Sequence, residues 1–268
     1  MKYEAPLKPF IKWAGGKQAL SNLLLSEFPT KFNRLYEPFV GGGSVFLSLR
    51  NCESTISDQN HWLISTYRAI RQNWEIVAEH LNKLNNTKED FLKIRSIPPN
   101  SLDLFQKAAH FIYLNKTCFR GLFRVNKKGM FNVPYGDYDR RYFDPDNLNA
   151  VSRYLQSVEI RHGDFELSTF DVQSDDFIYF DPPYYKVGGY SDFNRYTESK
   201  FNETDHIRLA AFCRELDSRG IPWALSNSDT PFIRHLFDGF KLCEVTNRRE
   251  INLNSKNRKI TELLIKNY

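Results

Sequence analysis

The sequence predicts an α/β protein: a parallel, doubly wound sheet interrupted by a long insertion that is helical, then loop-rich and aromatic. Three observations predict it. Strand-like apolar runs alternate with helical spacing towards both ends of the chain, which is the β-α-β order of a parallel sheet. The run Phe177-Ile178-Tyr179-Phe180 has no polar alternation, as expected of a strand covered on both faces. The stretch from about His61 to Glu159 departs from this order and reads as helical, then loop-rich and aromatic.

The elements follow in turn. Arg34–Phe39 is a short strand running into Gly41-Gly42-Gly43-Ser44, and Ser44–Leu49 is expected to continue as a helix. Glu53–Ser57 is the next strand, ending at Asp58. Trp62 to Leu84 and Leu104 to Leu114 carry helical apolar spacing. Lys116–Arg141 then holds seven Lys/Arg, two Asp and five aromatic rings, a mixture that offers charge to a phosphate backbone and rings to bases. Phe177–Phe180 is the buried strand. Leu209, Phe212 and Leu216 share one face of a helix from about Thr204 to Arg219. Glu203 and Asp205 lie near its positive end, and Gly220 and Pro222 stop it. Trp223–Asn227 is the strand that follows.

The bulk numbers set bounds. A chain of 268 residues makes one large domain or two modest ones, with a substantial core. Lys+Arg total 37 against 32 Asp+Glu, a net charge of +5, which permits an acidic partner without requiring one. Cys52, Cys118, Cys213 and Cys243 stand singly. That pattern predicts neither a zinc site nor a disulfide framework and fits a reducing cytoplasm. Met1 to Pro6 lacks an apolar signal core, and no run approaches the ~18 apolar residues of a membrane span. No membrane association is expected.

Three motifs carry chemistry, and all should meet at the carboxyl edge of the sheet, where open α/β folds bind ligands. Asp181-Pro182-Pro183-Tyr184 ends the buried strand in a carboxylate, two prolines and a ring. A flat ring bearing an amino group can lie on Tyr184 while the Asp181 carboxylate and Pro182 carbonyl accept from the amine. Two acceptors push that nitrogen towards tetrahedral geometry and free its delocalised lone pair. The prolines have fixed φ and no competing N–H. The plainer alternative is a strand-ending turn, where Asp-Pro is common. Next, Phe39-Val40-Gly41-Gly42-Gly43 lets a ligand approach the backbone. The third glycine of a dinucleotide fingerprint would fall on Phe46, so pyrophosphate is disfavoured. Asp58, seventeen positions after Gly41, stands at about the offset of an acid that bonds ribose hydroxyls. A nucleoside without pyrophosphate fits, and S-adenosylmethionine is the obvious one. Last, Gly15-Gly16-Lys17 fails the phosphate-loop pattern, because Ile11 and Gln18 stand where Gly and Ser/Thr are required.

In this order the motifs resemble those of the Dam family of DNA adenine methyltransferases, over nearly the whole chain. Phe10-Ile11-Lys12-Trp13-Ala14-Gly15-Gly16-Lys17, Glu37-Pro38-Phe39-Val40-Gly41-Gly42-Gly43 and Ser57-Asp58-Gln59-Asn60 look like the family's cofactor motifs. Leu122-Phe123-Arg124-Val125-Asn126 and Gly129-Met130-Phe131-Asn132-Val133-Pro134-Tyr135-Gly136 resemble its target-recognition hairpin. Asp181-Pro182-Pro183-Tyr184 and Leu225-Ser226-Asn227 complete the set. The resemblance implies a Rossmann-like S-adenosylmethionine-dependent methyltransferase sheet from residues 1–60 and 160–268. It implies an inserted helical and β-hairpin target-recognition domain over 61–159. The activity implied is methyl transfer to N6 of adenine in duplex DNA, within GATC, by base flipping and direct in-line transfer. S-adenosylhomocysteine is the product, and no metal takes part. A cytoplasmic monomer of bacterial or phage origin is expected, either a solitary regulator or the companion of a restriction endonuclease.

The resemblance also implies roles. Asp181, Pro182, Pro183 and Tyr184 are catalytic. Trp13 and Lys17 line the methionine end of the cofactor, and Phe39 packs on its adenine beside Gly41. Asp58 holds the ribose, Asp164 accepts from the cofactor's adenine amine, and Asp181 meets the cofactor edge. Lys12 reaches one guanine of the target and Arg124 another, since an arginine fork matches O6 and N7. Leu122, Pro134 and Tyr138 contact the central bases, with Asn126 and Asn132 in the same hairpin. Phe119 wedges into the stack; the alternative for Phe119 is a core position. Lys127-Lys128 touch phosphate without reading sequence. Arg248, Arg249, Lys256, Arg258 and Lys259 are either a basic C-terminal hairpin at the DNA face or solubilising charge. Ser191 to Phe201 is expected to order over the flipped base on a Gly188-Gly189 hinge. Two positions depart from the family. Arg120 stands where many members carry Asn, and Asp137 where a basic residue is usual, which bears on the bases read at the site's edge. Two rivals stand beside this reading: methylation of cytosine N4, which the same acceptors serve, and a catalytically silent DNA-binding module.

Overall fold

The structure is a computed structural model and describes residues 7–49, 52–185, 201–248 and 259–268. The expected lid and its Gly188-Gly189 hinge lie outside the described residues except for Phe201, as do Arg249, Lys256 and Arg258 of the basic C-terminal stretch.

Among the described residues seven strands form one sheet, β1 (Arg34–Glu37), β2 (Glu53–Asp58), β3 (Val158–His162), β4 (Phe177–Phe180), β5 (Trp223–Ser228), β6 (Lys241–Arg248) and β7 (Lys259–Lys266), in the order β3-β2-β1-β4-β5-β7-β6. The first five run parallel. The last pair is antiparallel, with β7 between β5 and β6. The order reverses between β1 and β4. That switch point leaves a crevice at their carboxyl ends, and Asp181 follows β4 directly.

Successive residues of the central strands feed two different cores. Leu35, Phe177, Tyr179, Ala224 and Leu264 point into one. Tyr36, Ile178, Phe180, Trp223, Leu225, Leu263 and Ile265 point into the other. The first is covered by helices α1 (Ser21–Glu27), α2 (His61–Asn82), α4 (Leu104–Thr117) and α5 (Pro145–Leu155), and the second by α6 (Glu203–Ser218) and α7 (Pro231–Leu236). With both faces covered, a strand needs no polar side, which is why Phe177–Phe180 reads as an unbroken apolar run. Fully burying one such large side chain contributes about 1.5–3 kcal/mol. The short helix α3 (Lys88–Ser96) packs beside α4 through Phe91, which lies against Tyr113 and Tyr135.

Two expected elements differ. The expected helix Ser44–Leu49 is only a 3₁₀ turn at Phe46–Ser48. The stretch from Ser44 to the start of β2 at Glu53 is too short for a full helix and a return to the sheet. Instead Tyr154 of α5 stacks on Phe46 at 5.8 Å and donates its hydroxyl to the Phe46 and Leu49 carbonyls. The long helical run after Asn60 is one element with a break at Asn73 (φ −161°, ψ 93°). There the Asn73 side chain accepts from the Ile76 N–H and starts the helix again, a capping role that asparagine favours. At its far end the α6 stop is as expected, with Gly220 at φ +69°.

Candidate active site

The carboxyl edge gathers its polar residues in strand order. Asp164 follows β3, Asp58 ends β2, Gly41 lies beyond β1, Asp181 follows β4, Asn227 is near the end of β5, and Glu262 of β7 lies opposite Ser228, where β7 begins to pair with β5. Each site residue is thus placed by the strand that delivers it.

Asp181 is the centre. The Lys17 ammonium lies 2.7 Å from one carboxylate oxygen and 2.9 Å from the other. The same ammonium donates to the Gly15 carbonyl at 2.7 Å and stands 4.8 Å from the centroid of the Tyr184 ring. Only 5% of the Lys17 side chain and 18% of that of Asp181 are exposed. Burial raises the Asp181 carboxyl above its ordinary range, and the Lys17 charge opposes that rise. Chemically, Lys17 holds N–H donors against Asp181 and beside the ring of Tyr184, as an exocyclic amine would; it differs in carrying a full charge. Tyr184 in turn donates its hydroxyl to Glu262 at 2.9 Å. Glu37, fully buried nearby, accepts from the Phe46 N–H at 3.0 Å, and burial followed by the Asp181 charge pushes its carboxyl far up.

The glycine turn closes on Trp13. Gly41 has φ +48°, and a Cβ there would lie 2.5 Å from the Trp13 ring. Its N–H donates to Asp58 at 3.2 Å, and the Asn60 N–H donates to the other oxygen at 2.8 Å. Burial pushes the Asp58 carboxyl up to about 6 against those two bonds and the nearby His162. A carboxylate has lone pairs for about four bonds, so Asp58 still has room for a diol.

Beside Asp58, Phe39 makes an aromatic wall with Phe165 and Phe201, each at 5.6 Å. Asp164 is more heavily engaged than sequence reasoning anticipates. Arg208 of α6 grips both its oxygens at 2.8 and 2.6 Å, and Gln59 adds a third bond at 3.0 Å. Burial raises the Asp164 carboxyl, but Arg208, the Glu166 N–H and Gln59 together more than offset this and hold it below its usual range. The Arg208 guanidinium also lies 4.3 Å from the Phe165 ring centroid.

The second cluster borders the first through the N-terminal segment. The buried Asn115 accepts from the Lys12 N–H at 2.7 Å and donates to the carbonyls of Lys12 and Gly121. It staples Lys12 to the end of the turn at 119–121. Burial and then the Arg140 charge lower the Lys12 ammonium, which stands 5.6 Å from the Tyr138 ring. Phe119 is 45% exposed with the Arg120 guanidinium over it at 5.0 Å, so it is not a core residue. Two isolated antiparallel bridges, Cys118 to Tyr135 and Val125 to Phe131, hold the hairpin. Arg124 is exposed and aimed by Asn132, which accepts from its Nε at 2.7 Å and, through the carbonyl, from a terminal nitrogen at 3.2 Å. Asn126 folds the hairpin tip, accepting from the Lys128 and Met130 N–H groups. Leu122 is half-buried, Pro134 is exposed, and the Tyr138 hydroxyl accepts from the Arg120 N–H at 2.9 Å.

Sequence reasoning missed Glu262, Arg208 and Asn115. Each is an ordinary surface-type residue in its own stretch, with no local signal. Only the pairing of β7 with β5, the packing of α6 and the path of the N-terminal segment bring them to the site.

Known proteins resemble this chain along nearly its whole length. The family model of D12 class N6 adenine-specific DNA methyltransferases matches residues 13–251. The Type II methyltransferase M.MjaIII of Methanocaldococcus jannaschii is 41% identical over 287 residues, covering 98% of this chain and 99% of that protein. The Type II methyltransferase M1.LlaDCHI of Lactococcus lactis subsp. cremoris is 37% identical, covering 100% of this chain and 98% of that protein. The DNA adenine methylase of Escherichia coli is 32% identical, with 97% and 95% covered.

Proposed function

Because the chain belongs to the D12 class of N6 adenine-specific DNA methyltransferases and is an adenine-specific DNA methyltransferase, we propose that it flips an adenine out of duplex DNA, within GATC, and methylates it by direct in-line transfer. The observation that carries this reading is the Asp181 carboxylate at the switch point, already holding N–H donors beside the Tyr184 ring. The flipped adenine amine takes the place of the Lys17 ammonium. Asp181 and the Pro182 carbonyl accept from the amine and free its lone pair, while Tyr184 stacks on the ring.

The residues present fit S-adenosylmethionine, which the family's chemistry requires. The glycine turn seats the Trp13 ring against Gly41 at the wall of the crevice, Asp58 keeps acceptor capacity for a ribose diol, and Phe39, backed by the buried Phe165, offers an apolar face to an adenine. Trp13 and Lys17 would hold the methionine end, and Asp164 would accept from the adenine amine in exchange for one of the four donors it now holds. Bound there, the cofactor supplies an electrophilic methyl group. Lys17 has two alternative anionic partners, Asp181 and the cofactor's carboxylate. Its departure from Asp181 readies that acid for the target amine.

Recognition is assigned to residues 61–159 and catalysis to 1–60 and 160–268. Arg124, steadied by Asn132, reads a guanine, and Lys12 reads another. Leu122, Pro134 and Tyr138 meet the central bases, and Asn126 shapes the hairpin that carries them. The exposed Phe119 fills the gap left by the flipped base. Flipping costs a few kcal/mol of stacking and pairing, and that filling offsets part of it. The protein acts as a monomer, alone or beside a restriction endonuclease.

The test is to incubate the enzyme with S-adenosylmethionine and mixed-sequence duplex, then map the modified bases. Methyl groups on N6 of adenine within GATC are expected. Modification of cytosine N4, or of adenine outside GATC, overturns the corresponding part. Asp181→Ala should abolish transfer while duplex binding persists, since the cationic residues hold the backbone. Survival of a substantial single-turnover rate in that variant refutes the proposed role of Asp181.

A further inference from the structure

Resting on the reading above, we propose that Glu262 is a positioning residue for methyl transfer: it anchors the Tyr184 hydroxyl and so fixes the plane on which the target base stacks. Glu262 comes from β7, the antiparallel strand that closes the sheet beyond β5, where it faces Ser228 on one side and Val245 on the other. Its carboxylate receives the Tyr184 hydroxyl at 2.9 Å. The hydroxyl remains a donor at neutral pH, because burial and then the charges of Asp181 and Glu262 push its ionisation far up.

The anchoring has two ends. The chain just past Tyr184 is fastened to β5: the Tyr185 N–H donates to Asn227 at 3.1 Å, and the Ser228 hydroxyl donates to the Tyr185 carbonyl. Glu262 fastens the far tip of the ring. A ring held at its backbone alone can rock about χ1 and χ2, whereas one held at both ends presents one face. That face is where the Lys17 ammonium now stands, 4.8 Å from the ring centroid and bonded to Asp181. Asp181 sets where the amine sits. Tyr184 sets the tilt of the base, and therefore the direction of the freed lone pair. Glu262 acts only through Tyr184, and its contribution is orientation.

Four variants decide this: Glu262→Ala, Glu262→Gln, Tyr184→Phe, and the double variant Tyr184→Phe with Glu262→Ala. Single-turnover methylation is measured beside the fluorescence of a duplex carrying 2-aminopurine at the target adenine, with thermal melts checking that each variant folds. Loss of orientation at a reacting centre costs up to ~10²-fold in rate, so Glu262→Ala should slow transfer about 10- to 100-fold. It should also alter the stacked-state fluorescence and leave calorimetric titration with S-adenosylmethionine unchanged. Glu262→Gln keeps an amide oxygen as acceptor and should restore most of both signals. Tyr184→Phe should reproduce Glu262→Ala, and the double variant should be no slower than the slower single one. A wild-type rate in Glu262→Ala, or a further full loss when it is added to Tyr184→Phe, overturns the assignment. Should wild-type enzyme put no methyl on adenine, the proposed function has failed; the 2-aminopurine signals of the same variants still decide whether Glu262 orients the stacking ring.

Discussion

Asp58 and Arg120 show what one position contributes. Burial lifts the Asp58 carboxyl to about 6 although two backbone N–H groups bond it. Folding therefore favours its protonated form. Its contribution to stability is present in full below the ordinary carboxylate range and is lost as pH rises through about 6. Binding runs the other way, because an ionised Asp58 accepts from a diol more strongly than a neutral one. S-adenosylmethionine should bind progressively more weakly as pH falls through about 6. Calorimetric titration on both sides of that value checks it, and a dissociation constant independent of pH removes Asp58 from the cofactor site. Arg120 sits at φ 58°, ψ 11°, a left-handed conformation that costs most L-residues ~1–2 kcal/mol but is easier for asparagine. That accounts for the asparagine expected here by resemblance. Arg120→Asn should raise stability by up to about 1 kcal/mol, read from the urea midpoint. A fall instead would mean that the guanidinium over Phe119 is worth more than the backbone strain.

The hairpin proposed for recognition shows how an element divides its labour. Asn126 folds its tip, Asn132 aims Arg124, and Lys127 and Lys128 lie exposed at the turn. A fork that reads guanine discriminates between bases, whereas a lysine on phosphate attracts every duplex alike. Arg124→Ala should lose about 1–3 kcal/mol of discrimination at one guanine. Lys127→Ala with Lys128→Ala should weaken all duplexes equally and flatten the dependence on salt. Equal losses for Arg124→Ala on cognate and scrambled duplexes would make it a phosphate contact. The same hairpin marks a limit of pattern reading. Its turn chemistry is plain at Asn126 and Gly129, but the Arg124–Asn132 contact depends on register across the two arms. Register there rests on the bridges at Val125–Phe131 and Cys118–Tyr135.

Across the protein, residues far apart in the chain meet along one sheet edge, from Lys17 and Asp58 to Asp181 and Glu262. A ligand held by such a set binds the folded chain and not the unfolded one. At a hundred times its dissociation constant it adds ~2.7 kcal/mol to stability. S-adenosylmethionine should therefore raise the thermal midpoint, and Asp58→Ala should forfeit most of that rise. A native chain whose midpoint ignores the cofactor would behave as a silent DNA-binding module. Residues 61–159, proposed for recognition, are not packed apart from the sheet. Residues of α2, α4 and α5 share one apolar core with Leu35, Ile56 and Phe177 of the sheet, so the protein should melt as one.

The amino-acid sequence by itself determined four of the five parallel strands, all but β3, together with the helices α2, α4 and α6 and the acids at the carboxyl ends of β2 and β4. These are set by local periodicity and by glycine and proline at fixed offsets, and such signals survive in a linear string. It also misread Ser44–Leu49, because helical propensity in a short connection yields to the need to return to the sheet. Tertiary structure alone decided which groups answer those acids. Lys17 reaches Asp181 because Asn115 fixes the N-terminal segment. Arg208 grips Asp164 because α6 packs beside β4 and β5. Glu262 reaches Tyr184 because β7 turns antiparallel next to β5. Each pairing is a matter of distance between residues remote in sequence, and distance of that kind is created only when the sheet closes its core.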